Sequence, residues 1–223
     1  MKSENSHAGS YASKFRRRRM EKLASLIEIK KLQGVSVLDI GGTKNFWEMN
    51  LEYLPKGAIS EIDIVNLPPQ DNAEFDLNGV MLRFYGGDAL DEASFRKQNY
   101  DLVHSNSVIE HVGNLSSQKR MSESIQRLGT FYWVQSPAKA FPLEPHFYVP
   151  FFAYLPLSLR AALLRRFNLG FHKREPDWLQ SRITCEDTRL LTLREYKCLF
   201  PQAEILSEKV AFFTKSYTAT NLA

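Results

Sequence analysis

Polar and glycine residues follow four of the predicted strands at the points where the strands end. They are Asp39 to Gly42, Asn66, Gly87 with Asp88, and Ser105 with Asn106. In an open parallel sheet, ligands bind in the crevice beyond the carboxyl ends of the strands. Glycines let a backbone approach a ligand closely, and carboxylates and amides supply hydrogen bonds. The four segments together predict one small-ligand site at this edge of a sheet.

The first of these segments is the most informative. Val35–Ile40 is a short β-branched run that carries one acid, Asp39, and then breaks into Gly41, Gly42 and Thr43. We interpret residues 39–45 as the floor of a nucleoside cofactor site. The G-x-G-x-x-G dinucleotide fingerprint and the P-loop sequence are both absent.

Strands that alternate with helices or loops must position these segments, which is typical of an α/β parallel sheet. The predicted strands are Val35–Ile40, Ala58–Val65, Val80–Tyr85, Tyr100–His104, Thr130–Gln135, Ala203–Val210 and Phe212–Tyr217. The last two are expected to pair antiparallel. The predicted helices are Lys14–Ile29, Phe46–Tyr53, Ser116–Leu128 with Ser116 or Ser117 as its cap, Leu157–Phe167 and Leu193–Phe200. Asp71–Asn78 is predicted to be a polar linker.

Residues 1–30 are predicted to form a frayed end, residues 1–13, followed by a basic amphipathic helix. The chain has 223 residues and a net charge of +4, and Lys14–Lys22 alone contains six basic residues. Such a helix could bind nucleic acid or anionic lipid. The alternative is a solvated helix face beside the main domain.

The composition indicates a cytoplasmic protein with one large domain. Cys185 and Cys198 have no metal-site spacing, which favours a reducing compartment, and no metal site is predicted. The basic segment is not followed by the long apolar run of a signal peptide. Residues 147–164 are apolar but are interrupted by Pro150, Pro156 and Arg160, so they are not expected to span a bilayer.

Three segments together resemble a class I S-adenosylmethionine-dependent methyltransferase. They are Val37 to Gly42, Gly87 to Leu90, and Tyr100 to Val112. The sequence is similar to the small bacterial methyltransferase type 11-like group over about Val35 to Pro137. This resemblance implies a Rossmann-like, doubly wound, mostly parallel sheet of seven strands, the last antiparallel, with an aromatic-rich insertion after strand five. Residues 31–223 would be the methyltransferase domain.

The resemblance implies that S-adenosylmethionine binds at the glycine loop. Asp39 and Gly41 match the family's first motif, whereas Thr43 and Asn45 stand where later glycines are usual. Asp39 would then pair with the amino group of the cofactor directly or through water, and backbone amides would approach its methionine part. Gly42 partly replaces the missing flexibility.

Two further positions are implied to hold the nucleoside. The family places an acid after the second strand for both ribose hydroxyls, but Asn66 stands there in this chain. We expect Asn66 to hold the ribose, with Asp63 as the alternative. Asp88 matches the residue that recognises the adenine amino group, and Ala89 would flank the ring.

The fourth-strand segment is implied to face the methyl group that is transferred. Ser105 and Asn106 match this position of the family. They lack the Asn/Asp-Pro-Pro-aromatic signature of adenine and glutamine amino-group methylases. If the acceptor is a hydroxyl, a histidine base would assist. His111 is the first candidate for this base and His146 the second, and a capping or packing role is the alternative for each.

Residues 138–185 are expected to form the acceptor-binding insertion. This segment is rich in aromatics, and its polar groups Glu144, His146 and Tyr148, together with Glu110 before it, are predicted to contact the acceptor. The alternative is a helical cap that covers the sheet. Basic residues follow the aromatic ones, which indicates contact with anionic lipid or a lipid-linked substrate.

The leading hypothesis is therefore an O-methyltransferase that acts on a small-molecule or glycan hydroxyl. Similar sequences are associated with bacterial surface-polysaccharide and secondary-metabolite synthesis. One alternative is a protein that binds the cofactor without turnover, since Thr43, Asn45 and Asn66 depart from the family pattern. Another is a nucleic-acid methylase guided by Lys14–Lys22, which the apolar insertion disfavours. The sequence makes no prediction of the oligomeric state.

Overall fold

The computed structural model describes residues 11–223, so residues 1–10 of the predicted frayed end lie outside the described part. The chain forms two compact units. Of the described residues, the first unit comprises residues 11–104, Gln126–Trp133 and Asn221–Ala223, and the second comprises Ser105–Ile125 and Val134–Thr220.

A mixed sheet is the centre of the fold and confirms the predicted α/β class. Within residues 11–223 its strands are β1 Val35–Ile40, β2 Ile59–Asn66, β3 Ala73–Leu77, β4 Val80–Gly86, β5 Tyr100–Asn106, β6 Gly129–Pro137, β7 Glu204–Val210 and β8 Phe213–Thr220. Their order is β3-β4-β2-β1-β5-β6-β8-β7. The pairs β1–β2 and β2–β4 are parallel, and β7 and β8 form the expected antiparallel pair.

Helices accompany the strands of this sheet. They are α1 Tyr11–Ile29, α2 Lys44–Asn50, α3 Leu115–Leu128, α4 Leu157–Leu164, α5 Trp178–Glu186 and α6 Leu193–Leu199. Helix α1 begins earlier than predicted and buries Met20, Leu23 and Ile27, whose spacing places them on one face. Arg17 and Arg18 on the same helix are exposed. No helix of the described chain is both long and apolar enough to cross a membrane.

The sheet has eight strands within residues 11–223, where the sequence predicted seven. The additional strand is β3, in the segment predicted to be a polar linker. It pairs antiparallel with β4, and Phe75 packs edge-on against Phe84 with ring centroids 5.9 Å apart. One aromatic contact and the backbone ladder therefore outweigh the polar composition of this segment.

Two local predictions about helices were wrong or incomplete. The cap of α3 is Asn114, whose Oδ1 accepts from the Ser117 backbone at 3.0 Å, and neither Ser116 nor Ser117 takes that role. Helix α5 was not predicted, because it buries only Ser181 and Cys185 and so lacks an apolar stripe.

Each unit has its own buried apolar groups. In the first unit, β1 and β2 bury Val37, Leu38, Ile62 and Ile64 completely. In the second unit, the insertion at residues 138–185 buries a cluster made of Phe147, Phe152, Leu164 and Cys185. This cluster supports the segments that carry Glu144 and His146.

Candidate functional site

The glycine loop after β1 has a conformation that requires both of its glycines. Gly41 has a φ of 76°, in the left-handed region, and its amide donates to the Val65 carbonyl at 2.8 Å. A Cβ on Gly42 would lie 1.8 Å from Asp39 Oδ2. Thr43 ends the loop and caps α2, since its hydroxyl accepts from the Phe46 amide at 3.1 Å. Thr43 therefore stabilises the following helix, at a position where the methyltransferases that the sequence resembles usually have glycine.

The Asp39 carboxylate is buried and bonded within the protein. Trp47 Nε1 donates to Oδ2 at 2.7 Å, and His104 Nδ1 donates to Oδ1 at 2.7 Å. Neither Trp47 nor His104 was assigned a role from the sequence. Two features of the sequence could have indicated these contacts. They are the aromatic Trp47 in the helix after the loop and His104 on the neighbouring strand. The pairing of Asp39 with a cofactor amino group stays a prediction. In that pairing a carboxylate oxygen would accept from the amino group in addition to Trp47 or His104.

The end of β2 places Asn66, and not Asp63, beside the glycine loop. Asn66 Nδ2 donates to the Gly42 carbonyl at 3.1 Å, which leaves the amide oxygen of Asn66 as the acceptor of this side chain. Asp63 is buried within the strand, where it accepts from the Tyr100 hydroxyl at 2.8 Å and lies 3.5 Å from Arg83 Nη1. The assignment of the ribose to Asn66 stays a prediction.

The turn after β4 presents Asp88 at the surface. Its Oδ1 accepts from the Leu90 amide at 2.9 Å, and Ser94 holds the turn through its hydroxyl. The preceding Gly87 has no room for a side chain, because a Cβ there would lie 2.7 Å from Val65 Cγ2. Ala89 is half-buried next to Asp88. The predicted adenine-binding pair therefore lies on a turn with a defined backbone.

The second unit begins with the predicted Ser105 and Asn106. Ser105 is fully buried, and Asn106 is half-buried. The next residue, Ser107, has a φ of 57° and donates through its hydroxyl to Gln135 Oε1 at 2.9 Å. These contacts define where the chain leaves β5 and enters the short 3-10 helix Ile109–His111.

Glu110 in that short helix is a completely buried carboxyl group. Ser136 Oγ donates to its Oε2 at 3.2 Å, whereas Oε1 has no hydrogen-bond partner in the described structure. Burial raises the pKa of Glu110 to about 7. The sequence predicted an acceptor-binding residue here, and the structure places it inside the protein.

His146 is oriented by Glu144. Its Nδ1 donates to Glu144 Oε1 at 2.7 Å, and Glu144 Oε2 accepts from the backbone amides of His146 at 2.8 Å and Phe147 at 2.6 Å. Burial acts to lower the pKa of His146, but the hydrogen bond and charge of Glu144 outweigh it, so the pKa is raised. Glu144 thus orients His146, and its predicted contact with the acceptor stays a prediction.

The structure brings the two predicted base candidates together. The rings of His111 and His146 meet edge-on, with centroids 4.9 Å apart. His111 has an exposed edge, but removal of its ring from bulk water and the neighbouring His146 lower its pKa to about 4. Together with Glu110 the two histidines form a cluster of three side chains. Each side chain has one possible ligand atom within 4.8 Å of those of the other two. This cluster could move a proton or bind a cation.

A small cavity of about 80 Å³ lies in the same unit. It is lined by Lys139, Glu144, Phe147, Phe152, Ala153, Arg160, Thr188, Arg189 and Leu190. Its lining combines apolar and basic side chains, and its volume is below the range of about 300–1,000 Å³ that is usual for small-molecule sites. Tyr148 is not part of this lining; it is half-exposed and packs on Phe171 with ring centroids 5.0 Å apart.

No protein-family model matches this chain, and no curated protein matches it. Solved structures do. The carbon methyltransferase CurJ superposes with a TM-score of 0.54 at 12% identity, over 95% of this chain and 55% of CurJ. PigF with SAH superposes with a TM-score of 0.54 at 15% identity, over 94% of this chain and 56% of PigF. Magnesium protoporphyrin IX methyltransferase from Synechocystis PCC 6803, with bound SAM, superposes with a TM-score of 0.51 at 9% identity. The match covers 99% of this chain and 85% of that enzyme.

These similarities show that the chain has the fold of S-adenosylmethionine-dependent methyltransferases. The chain spans little more than half the length of CurJ and PigF. At such low identities the type 11-like subgroup and the acceptor do not follow from the fold.

Proposed function

We propose that this protein transfers a methyl group from S-adenosylmethionine to a hydroxyl group of a small molecule or glycan. The fold supports a methyltransferase, and two of the similar solved structures contain SAM or SAH. The observation that carries the choice of a hydroxyl is the pair His111 and His146, with His146 held by Glu144. A nitrogen acceptor needs no such base when it is already uncharged, whereas a hydroxyl must lose its proton.

The cofactor would bind in the first unit at the strand ends. The left-handed Gly41 lets the backbone approach the methionine part, and the amide oxygen of Asn66 would accept from a ribose hydroxyl. Asp88 would accept from the adenine amino group through its exposed carboxylate. Ser105 and Asn106 would face the transferred methyl group, as the family resemblance implies.

The reaction would be an in-line displacement in which positioning contributes most of the rate. The acceptor oxygen forms a bond to the methyl carbon, the bond from that carbon to sulfur breaks, and S-adenosylhomocysteine leaves. The hydroxyl proton passes to a histidine nitrogen. His146 suits this step because its Nδ1 is bound to Glu144, which leaves Nε2 to accept the proton.

Calorimetry with S-adenosylmethionine and S-adenosylhomocysteine tests the class of protein. Incubation of the full chain with methyl-labelled cofactor and a panel of sugars, phenols and lipid-linked glycans then tests the transfer. We expect micromolar cofactor binding and label transfer to a hydroxyl acceptor. If the protein binds neither S-adenosylmethionine nor S-adenosylhomocysteine, the proposed function is wrong.

A second candidate is a cofactor-binding protein without turnover. Its support is the Asp39 carboxylate, both of whose oxygens are already bonded to Trp47 and His104. Cofactor binding without transfer to any acceptor of the panel would favour this candidate.

We also propose that the insertion contacts an anionic lipid surface. It exposes large aromatic side chains, namely Phe151, Tyr154, Phe167, Phe171 and Trp178. Exposed cations Arg165, Arg166, Lys173 and Arg174 lie among them in the chain. Aromatic and basic side chains together favour a membrane interface. Cosedimentation with phosphatidylglycerol vesicles at low salt, and none with phosphatidylcholine vesicles, is the expected result.

A further inference from the structure

The cluster of Glu110, His111 and His146 has the composition of a metal centre. One nitrogen or oxygen atom from each side chain lies within 4.8 Å of the other two. Two imidazoles and one carboxylate are a ligand set typical of zinc and other first-row transition ions. All three residues belong to the second compact unit.

The Glu110 carboxylate gives independent support for a cation. Glu110 is completely buried, and its Oε1 has no hydrogen-bond partner among residues 11–223. Burying a carboxylate oxygen without a partner is costly, so native structures usually satisfy such atoms. Within the cluster, the side chains that could carry a positive charge near this carboxylate are His111 and His146. A bound cation would compensate the charge.

His146 is oriented as metal-bound histidines usually are. His146 Nδ1 donates to Glu144 Oε1 at 2.7 Å, and Glu144 is itself held by two backbone amides. His146 thus has one ring nitrogen committed as a donor and one lone pair left. This outer arrangement accompanies most metal-bound histidines. The His111 ring meets the His146 ring edge-on, with centroids 4.9 Å apart.

We propose that Glu110, His111 and His146 bind a divalent first-row transition-metal ion, with Zn²⁺ as the best match. Three protein ligands leave a coordination position for a further oxygen, and His111 lies on the exposed side. This role in catalysis rests on the proposed function. The acceptor hydroxyl would coordinate the ion and lose its proton to solvent, because a bound cation lowers the pKa of such an oxygen. Coordination would then replace direct proton transfer to a histidine.

Metal binding can be tested without cofactor or acceptor. The full chain is stripped with a chelator, dialysed and titrated with ZnCl₂ by calorimetry and with CoCl₂ by visible absorption. We expect one bound equivalent and a Co²⁺ ligand-field spectrum of low coordination number. Glu110→Gln and His146→Ala should each weaken binding at least tenfold. His172→Gln is the matched control, because His172 stacks on Phe147 outside the three-residue cluster, and it should bind as the wild type does.

Folding must be separated from ligand loss. Glu144→Gln keeps all three proposed ligands but disturbs the orientation of His146, and we expect it to weaken binding about tenfold to a hundredfold. Circular dichroism checks that each variant is folded, and Zn²⁺ should raise the melting temperature of the wild type and of His172→Gln more than that of the three variants that weaken binding. Equal binding by the wild type and Glu110→Gln would overturn the proposal, as would no binding by the wild type. Methyl transfer by an enzyme that binds no metal would refute the metal site and leave the proposed function intact.

Discussion

Gly42 and Asp39 are packed so closely that a Cβ on Gly42 would lie 1.8 Å from Asp39 Oδ2. The Asp39 carboxylate therefore occupies the space that any larger residue at position 42 would need, so the loop and the carboxylate are packed together. The first prediction concerns this relationship. Gly42→Ala should displace the carboxylate, cost about 1–3 kcal/mol of unfolding free energy and weaken S-adenosylhomocysteine binding about tenfold.

The matched control for this loop is Gly86→Ala. Gly86 also lies at a strand end, but the nearest atoms to a Cβ at this position would be 3.6 Å away, an ordinary contact. Calorimetry and urea unfolding of both variants give the comparison. Equal effects at the two positions would mean that the contact with Asp39 is not the cause.

The second prediction concerns Trp47, which donates to the buried Asp39 carboxylate. Trp47→Phe removes the indole N–H and keeps most of the apolar volume. Because a buried acceptor then loses a donor, we expect a loss of about 1–3 kcal/mol in unfolding free energy. Trp178→Phe is the control, since Trp178 is 54% exposed, and its stability should change little. Similar losses in both variants would rule out the hydrogen bond as the reason.

The third prediction separates the two candidates for ribose binding. Asn66→Ala removes the contact with the Gly42 carbonyl and the amide acceptor, so the dissociation constant of S-adenosylhomocysteine should rise about tenfold. Asp63→Asn disturbs the buried pairing with Tyr100 and should lower stability while the dissociation constant changes less than about threefold. The reverse ranking in calorimetry would assign the ribose to Asp63.

The fourth prediction is a pH dependence at Glu61. Its pKa is lowered from the ordinary value of 4.5 by hydrogen bonds from Arg83, at 2.5 Å, and from Lys97. A carboxyl whose pKa is lower in the folded state stabilises the protein above its unfolded pKa, and this stabilisation is lost as the pH falls through the folded pKa. Glu61→Gln should therefore be less stable than the wild type by about 1 kcal/mol at pH 7.

The difference between Glu61→Gln and the wild type should shrink below pH 4.5 as Glu61 becomes protonated. Urea unfolding at pH 7 and in acid measures it. Glu48→Gln is the control, because Glu48 pairs with Lys44 on an exposed helix face and contributes little. A difference that stays constant down to acid pH would contradict the charge-based origin.

Much of the first unit was predictable because its signals are local. The β-branched run Val35–Ile40 was predicted with its exact bounds as β1, and the glycines that end it lie where the backbone needs them. The pair β7–β8 was likewise predicted, because only Ala211 separates the two runs in the sequence. In the structure Ala211 has a φ of 51° in the turn between the strands. Alternating runs and turn residues are encoded within a few positions of the chain.

The partners of the buried acids were not predictable, because they are distant in sequence. His104 reaches Asp39 across 65 positions, and only the adjacency of strands brings them together. Burial is equally non-local: nothing in the residues around Glu110 indicates that its carboxylate is enclosed with an unpartnered oxygen. The meeting of His111 with His146 depends on the path of the insertion and not on a motif.

The unpredicted strand β3 has a further consequence for the behaviour of the sheet in solution. The two outermost strands are β3 and β7, and an outermost strand offers unpaired backbone groups to any second chain. Strand β3 exposes Glu74 and Asp76, whereas β7 exposes both Glu204 and Lys209. Two copies that approached edge to edge at β3 would bring like charges together. The acidic border at β3 should therefore help to keep the sheet from recruiting neighbours into an aggregate.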